Sequence, residues 1–189
     1  MIVYLGLGSN LGDREANLRE AIRRIVSLGL TITRASSVYE TEPLGFSDQP
    51  WFLNQVIEVD TEGVRFARLD ARLDVDTEAL FEASALLDAL LEIESEMGRQ
   101  RTFIDGPRVI DIDLLLYGDR VFYQTEGKKI ARAHLIVPHL RMHLRRFVLE
   151  PLCEIAPRAV HPSFDKTCRQ LLDELNDPSI TRLFGQSEK

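Results

Sequence analysis

Apolar and polar residues alternate along this chain in two distinct periods, and these periods predict its regular elements. Short segments rich in Val, Ile, Leu and Tyr predict β-strands over residues 2–7, 30–40 and 52–60. Apolar residues that recur every three or four positions predict helices over residues 14–28 and 77–97. A further strand and a C-terminal tail follow the second helix.

Capping residues flank both helical segments. Asp13 is a suitable N-cap for the first helix, and Gly29 is a natural residue to end it. Asp76 or Thr77 is the expected N-cap of the second helix. These signals support both helices independently of their apolar periodicity.

The segment between the third strand and the second helix predicts a hairpin insertion over residues 62–76. Within it, residues 64–75 predict an exposed strand. We expect a monomer, with a dimer through the open edge of this strand as the alternative.

The most informative segment runs from Gly106 to Tyr117 and predicts a buried strand that carries two carboxylates. Asp111 and Asp113 are two residues apart, so they share one face with Val109, roughly 6–7 Å from each other. Two neighbouring carboxylates repel each other and lose solvation, and Mg²⁺ relieves both costs. The alternative is an edge strand whose polar face meets water.

Short elements follow. Residues 121–123 with 130–131 predict a small hairpin, and residues 141–146 predict a short helix. Residues 151–156 and 167–175 predict a helical tail. The pattern as a whole predicts an α+β fold in which helices cover one face of a mostly antiparallel sheet.

Length and composition limit the number of domains and the kinds of partner that this protein is expected to have. A length of 189 residues suits a single domain, residues 1–189, and a net charge of −7 argues against general nucleic-acid binding. No apolar stretch reaches transmembrane length, so no membrane contact is expected. Cys153 and Cys168 are not spaced as metal ligands, which favours reduced thiols in a cytoplasmic protein.

Cations gather around the aspartate strand. Arginine binds phosphate in a bidentate manner, whereas a single arginine is more often a solvated surface residue. The cluster consists of Arg99, Arg101, Arg108, Arg145 and Arg146. The glycine-rich loop at residues 6–12 lacks the lysine of a phosphate-binding loop and predicts a structural turn.

Several other polar and aromatic residues are candidates for a site, and most of them also have a structural interpretation. Glu94 falls on the apolar stripe of the second helix, so it lies either beyond the buried region or inside a site. Asn54 is an unusual core residue and needs a hydrogen-bond partner. Phe52 and Phe147 are core aromatics or the walls of a slot for a flat heterocycle. His139 and His143 are four residues apart, but a nucleotide contact by a neutral histidine is favoured over zinc.

Seven collinear blocks over residues 2–162 resemble one family, the 6-hydroxymethyl-7,8-dihydropterin pyrophosphokinases of folate biosynthesis. The blocks are Gly8-Ser9-Asn10-Leu11, Thr41-x-Pro43-Leu44-Gly45, Phe52-Leu53-Asn54, Glu94-x-x-x-Gly98-Arg99, Gly106-Pro107-Arg108-x-x-Asp111-x-Asp113-Leu114, Val137-Pro138-His139 with Arg145-x-Phe147, and Glu150-Pro151-Leu152 with Glu154-Ile155-Ala156-Pro157.

The resemblance implies a ferredoxin-like α+β fold and the transfer of pyrophosphate from ATP, the co-substrate, to the pterin hydroxymethyl group. It implies two Mg²⁺ ions held by Asp111 and Asp113, with Arg101 and Arg108 as further catalytic residues. It implies ATP contacts from Glu94, Arg99, Arg108, Ile112, His139 and Arg145. It implies pterin contacts from Thr41, Pro43, Leu44, Phe52, Asn54 and Phe147.

Some features depart from the family pattern. The loop at residues 102–105 is shorter than in well-known members, and Asp105 stands where an aromatic residue is common. Two other functions remain open on the residues alone. One is a different Mg²⁺-dependent nucleotide transferase that ignores pterin, and the other is a ferredoxin-like sensor of small molecules.

Overall fold

The computed structural model describes residues 1–66, 74–100, 106–123 and 135–185. The regular elements are β1 (Ile2–Ser9), α1 (Arg14–Ser27), β2 (Thr31–Ala35), β3 (Tyr39–Thr41), β4 (Phe52–Asp60), α2 (Val75–Glu96), β5 (Asp111–Tyr117), a 3₁₀ turn (Met142–Leu144), α3 (Arg146–Ile155), β6 (Val160–His161), β7 (Lys166–Thr167), α4 (Cys168–Glu174) and β8 (Thr181–Leu183).

A six-stranded sheet forms the centre of the described chain. Its order is β5-β1-β4-β3-β8, and β2 also pairs with β4. Each of these pairings is antiparallel. Strands β6 and β7 form a separate two-residue hairpin. The predicted antiparallel α+β architecture is therefore confirmed.

Helices cover both faces of the sheet, which corrects the expectation of one covered face. Leu5 and Ile57 enter a core shared with α1 and α2. Their neighbours Tyr4 and Val56 point the other way, toward a second core formed with α3 and α4. The predicted helical tail is thus the second layer of the fold. Apolar residues on both faces of β1 and β4 require this cover.

Local hydrogen bonds divide the segment that was predicted as one strand over 30–40. The main-chain N–H of Ser36 donates to the carbonyl of Val56, and the Ser36 hydroxyl accepts from the Val56 N–H. Because this side chain takes over one bond of the ladder, β2 ends at Ala35 and β3 starts only at Tyr39. The sequence pattern did not predict this break.

The first helix is capped nearly as predicted, but the second is not. The Asp13 carboxylate accepts from the N–H of Ala16, and Gly29 follows α1 with a positive φ of 91°. Helix α2 begins earlier than expected because Asp74, rather than Asp76 or Thr77, accepts from the first N–H groups.

The prediction of a strand over 64–75 is wrong at both ends of this range. Among the described residues, 64–66 pair with no strand, and Val75 begins α2. The N–H of Phe66 donates to the Glu82 carboxylate at 2.8 Å, so this segment folds back on α2. Residues 67–73 lie outside the described part of the chain, and the hairpin insertion at 62–76 stays a prediction.

The remaining differences concern short elements. The aspartate strand begins at Asp111 rather than Gly106. Phe122 forms a bridge with Val137, whereas its predicted partners at 130–131 lie outside the described residues. The tail helices become α3 and α4, and β8 was not predicted. Within the described residues, no helix has the length and apolar character needed to cross a bilayer.

Ile25 and Val26 are neighbours on α1 that test the packing of the first core. Ile25 is 0% exposed and Val26 is 48% exposed. We expect Ile25→Ala to lower the free energy of unfolding by about 2–5 kcal/mol, because it leaves a cavity between α1 and the sheet. Val26→Ala, the matched control, should change it by less than about 0.5 kcal/mol. Urea denaturation measures both, and equal effects would contradict the assigned face of α1.

Candidate active site at the junction of two clefts

Two glycines of β1 lie directly opposite the two aspartates of β5. Gly8 pairs with Asp111 and Gly6 pairs with Asp113 in the antiparallel register. Residues opposite each other on a sheet share a face, so the missing side chains leave open space beside the carboxylates. Crowding also requires glycine at position 8, because a Cβ there would lie 2.8 Å from the Oδ1 atom of Asn54.

The first cleft lies over these glycines and combines aromatic walls with one polar end. Asn54 donates through Nδ2 to the Oγ1 atom of Thr41 at 2.6 Å, which supplies the partner that this buried residue needs. The predicted pterin residues Thr41, Leu44, Phe52, Asn54 and Phe147 all line the cleft, whereas Pro43 is not part of its lining. Other lining residues, which the sequence did not single out, are Glu42, Gln55, Val56 and Val148.

The second cleft lies between α2, β5 and the segment around His139. Its lining includes the predicted ATP residues Glu94, Arg99, Ile112 and His139. Its apolar lining comes from Leu87, Leu91, Leu114, Leu135, Ile136 and Leu140. Asp111 and Asp113 line both clefts, so the two carboxylates mark the junction.

Two of the predicted ATP residues, Arg108 and Arg145, line the first cleft rather than the second. Arg108 bonds Asp111 through Nη1 at 2.6 Å. The Nη1 atom of Arg145 lies 3.9 Å from the Oδ2 atom of Asp113. Both cations therefore reach the junction from the side of the first cleft.

Asp111 is neutralised by two arginines. Its Oδ2 atom bonds Arg108, and its Oδ1 atom lies 2.6 Å from Nη1 of Arg99. Arg99 also contacts the Glu94 carboxylate. Glu94 is 2% exposed and accepts from the N–H of Ile112 at 2.6 Å. Glu94 therefore does not lie beyond the buried region: it is buried and lines the second cleft.

Among the described residues, Asp113 has only longer contacts with basic side chains, at 3.9 Å. Burial raises the pKa of Asp113 to about 7, and the charge of Asp111 adds to this effect while Arg145 opposes it. Burial and the Arg145 charge lower the pKa of His139 to about 4, so His139 is neutral at physiological pH. Its Nε2 atom, 3.9 Å from Asp113, therefore does not neutralise that carboxylate.

Each aromatic wall of the first cleft carries an arginine. The guanidinium of Arg108 lies 5.6 Å from the centre of the Phe52 ring, and that of Arg145 lies 5.4 Å from the Phe147 ring. Cation–π attraction at this range holds each arginine beside its ring. The two aromatic walls and the two arginines are thereby positioned together.

Asn10 belongs to the site, although the sequence predicted only a structural turn for its loop. Its Oδ1 atom accepts from the N–H of Arg108 at 2.7 Å, and its own N–H donates to the Arg108 carbonyl at 3.1 Å. Its Nδ2 group donates to Gln49 and to the carbonyl of Pro50. The available signal was the need of a buried asparagine for several partners.

Two predictions concern residues that are not in the described lining of either cleft. His143 packs against the rings of Phe164 and His161, so the structure gives no support to a zinc site formed by His139 and His143. Arg101 and the loop at 102–105 lie outside the described residues.

The family described as 7,8-dihydro-6-hydroxymethylpterin-pyrophosphokinase (HPPK) matches residues 4–157 of this chain. A Methylorubrum extorquens protein named 2-amino-4-hydroxy-6-hydroxymethyldihydropteridine pyrophosphokinase is 37% identical over 181 residues, 95% of this chain and 97% of that protein. The Bacillus subtilis protein of the same name is 41% identical over 155 residues, 82% of this chain and 77% of that protein.

Other relatives are much longer. The Schizosaccharomyces pombe folic acid synthesis protein fol1 is 36% identical over 97% of this chain, which spans only 22% of that protein. The crystal structure of Plasmodium falciparum HPPK-DHPS wild type superposes with a TM-score of 0.64 at 16% identity, covering 92% of this chain and 44% of that chain. This likeness confirms the predicted ferredoxin-like fold.

The family match over most of the chain and the two bacterial relatives confirm the resemblance predicted from the seven blocks, and with it the enzyme class. The chain belongs to the 7,8-dihydro-6-hydroxymethylpterin-pyrophosphokinase family.

Proposed function

We propose that this chain transfers the pyrophosphoryl group of ATP to the hydroxymethyl group of 6-hydroxymethyl-7,8-dihydropterin in a Mg²⁺-dependent reaction that releases AMP. The observation that carries the proposal is the junction of two clefts at Asp111 and Asp113. One cleft suits a flat heterocycle with a polar edge, and the other suits a nucleotide. The hydroxymethyl oxygen of the pterin would attack the β-phosphorus of ATP. The bond between this phosphorus and the α,β-bridging oxygen would break, and that oxygen would leave as part of AMP.

The pterin would occupy the first cleft. Phe52 and Phe147 would lie against the two faces of its ring, since aromatic stacking orders a flat ligand at low entropic cost. Asn54 and Thr41 would bond its polar edge, because their mutual hydrogen bond already fixes both side chains. Leu44 and Pro43 would close the loop side of the cleft.

The nucleotide would occupy the second cleft. Its apolar lining suits the base, and Arg99 and the neutral His139 would contact the ribose or the phosphates. The N–H of Ile112 already bonds Glu94, so a contact of Ile112 with ATP would come from its side chain or carbonyl. Arg108 and Arg145, at the junction, would contact the transferred phosphates.

The residues at the junction fit Mg²⁺. Among the described residues, no group of three or more His, Cys, Asp or Glu could hold a metal ion, so phosphate oxygens and water would complete the coordination of the aspartates. Mg²⁺ typically binds through one or two carboxylates and substrate phosphates. Burial and the charge of Asp111 raise the pKa of Asp113, and a cation bound between the two carboxylates would offset both effects. When bound, Mg²⁺ neutralises and orients the phosphates for in-line displacement.

The arginines of Asp111 would change partners when ATP binds. Arg99 and Arg108 occupy both oxygens of this carboxylate in the metal-free chain. With Asp111 as a metal ligand, the guanidinium groups of Arg99 and Arg108 would be available to phosphate oxygens. No nucleophilic side chain is required, because positioning and charge stabilisation supply most of the catalysis of phosphoryl-type transfer. The catalytic role of Arg101, the cytoplasmic location and the monomeric state stay predictions.

Product analysis tests the function. Purified chain with ATP, Mg²⁺ and 6-hydroxymethyl-7,8-dihydropterin should yield AMP and the pterin diphosphate, separated by chromatography. Reactions without pterin, or with EDTA, should leave ATP intact. ADP formation, or AMP that does not require pterin, would contradict the proposal and indicate a different nucleotide transferase.

We expect Asp113→Asn and Asp111→Asn each to lower the rate constant of the chemical step by at least about 10²-fold, because each removes a charge that holds the metal-bound phosphates. Single-turnover kinetics with saturating ATP measure this. The fold should persist, since neither change adds charge to the site. A rate within threefold of wild type for either variant would exclude its carboxylate as a metal ligand.

Gly8→Ala should raise the KM for pterin by about tenfold, because its methyl group must displace Asn54, 2.8 Å away, from the polar end of the cleft. Gly6→Ala is the matched control, since its methyl group would meet the side chain of Leu115 at an ordinary 3.4 Å. Steady-state kinetics compare the two. A larger effect at position 6 than at position 8 would contradict the place of Asn54 in pterin recognition.

Asp113 and Glu94 should destabilise the metal-free chain more at pH 8 than at pH 5.5. Burial raises the folded pKa of both carboxyl groups to about 7, above their ordinary values, so their ionised forms destabilise the folded state. Their contribution to stability is complete below the ordinary pKa and is lost as the pH rises through 7. Burial lowers the pKa of His139, His143 and His161, and these histidines therefore act in the opposite sense as the pH falls.

A comparison of variants isolates the contribution of Asp113. In calorimetry with EDTA, Asp113→Asn should raise Tm relative to wild type by more at pH 8 than at pH 5.5. A difference in Tm that does not change with pH would contradict the assignment.

A further inference from the structure

The C-terminal segment Asp177–Phe184 lies beyond the region matched by the family, residues 4–157, yet it contacts both walls of the pterin cleft. One end of this segment bonds the start of α3, which carries Phe147. The other end pairs with β3, which carries Thr41. We name these residues the C-terminal strap.

The first contact is a cap on α3. This helix begins at Arg146, and its own N-cap residue, Arg145, makes no side-chain capping bond. Instead, the Oδ2 atom of Asp177 accepts from the N–H of Arg146 at 2.9 Å, and the carbonyl of Asp177 accepts from Nε of Arg146 at 3.1 Å. A carboxylate at a helix N-terminus satisfies an unpaired donor and interacts favourably with the helix dipole.

The capped residue lies between two site residues. Arg145 precedes it and approaches Asp113, and Phe147 follows it and forms one wall of the pterin cleft. The orientation of the first turn of α3 therefore sets the position of both side chains. Burial alone would raise the pKa of Asp177, but bonds from the N–H groups of Arg146 and Ser179 hold it below its ordinary value.

The second contact reaches the opposite wall. The carbonyl of Ile180 accepts from the N–H of Glu42 at 3.2 Å, and the Glu42 carboxylate accepts from the N–H of Ile180 at 2.9 Å. Thr181 then pairs with Thr41 in the sheet. Thr41 and Glu42 both line the pterin cleft.

We propose that Asp177 is a positioning residue for pterin binding: through the C-terminal strap it fixes the separation between the α3 wall and the β3 wall of the cleft. The assignment rests on the proposed function, because it concerns the pterin site of that reaction. Asp177 does not line the cleft, so it acts through Phe147 and Thr41 rather than on the ligand.

Binding of the pterin itself provides the test. Calorimetric titration with 6-hydroxymethyl-7,8-dihydropterin is carried out on the full chain with Mg²⁺ and α,β-methylene-ATP, which cannot transfer its pyrophosphoryl group. Asp177→Ala should raise the Kd for pterin by about tenfold, which corresponds to a free-energy change of the size produced by the loss of a helix cap. Asp177→Asn, which keeps an oxygen that can accept from Arg146, should recover most of the affinity.

Glu150→Gln is the matched control, because Glu150 pairs with the same arginine through Nη1 at 3.2 Å without capping α3. It should leave the Kd for pterin within twofold of wild type. The Kd for α,β-methylene-ATP alone should stay within threefold in every variant.

A lower Tm for Asp177→Ala with an unchanged Kd for pterin would overturn the assignment and leave the strap only a stabilising role. Equal losses for pterin and nucleotide would overturn it as well. Either result, with wild-type turnover intact, leaves the proposed function standing. A wild-type chain that binds no pterin overturns the proposed function and this assignment together.

Discussion

The electrostatic repulsion between Asp111 and Asp113 is the constraint on which the arrangement of the site depends. Both carboxylates sit on one strand, and the residue between them, Ile112, is buried in the core on the other face. The two arginines on Asp111 neutralise one of the charges, whereas Arg145 lies 3.9 Å from the other. The described chain therefore holds one carboxylate that is paired at both oxygens and one that has only longer contacts. Under the proposed function, this asymmetry would favour a further cation beside Asp113.

Within the described part of the chain, β5 is an edge strand of the sheet, and two residues that line the second cleft bond to its free backbone groups. Glu94 accepts from the N–H of Ile112, and the N–H of His139 donates to the carbonyl of Leu115. Because an unpaired backbone group near the core is costly, these bonds fix α2 and the segment at His139 against β5. The second cleft lies between these two elements, so its width follows from bonds that β5 requires in any case.

The sequence was sufficient for features that depend on local chemistry. Asp13 caps α1 as its side chain and position predict, and the period-two pattern of β4 places Asn54 and Val56 on the face of the first cleft. The placement of Asp111 and Asp113 on one face follows from the same geometry. Most of the described residues that the motif blocks singled out line one of the two clefts, but Pro43 lines neither, and Arg108 and Arg145 line the first cleft rather than the second.

Features that depend on distant contacts were not predictable from local pattern. The break between β2 and β3 arises from the bonds of Ser36 to Val56, 20 residues away, and the cap of α3 comes from Asp177, 31 residues beyond the helix start. Neither serine nor aspartate in such positions differs locally from an ordinary turn residue. The cover on the second face was missed for the same reason: short apolar helices in a tail show which face they bury only once their partner strands are known.

These long-range bonds have a common property that bears on catalysis. Asn10 binds the main chain of Arg108, and Asp177 binds the main-chain N–H next to Arg145. In both cases the backbone is fixed by a distant segment, while the guanidinium group extends on a long side chain toward the carboxylates. Under the proposed function, the transfer needs cations that are already near the phosphates, and Arg108 must also neutralise Asp111 before ATP binds. Both requirements are met when the backbone is fixed and only the arginine side chain changes its partner from a carboxylate to a phosphate. Such a change moves only a few atoms and leaves the two clefts in place.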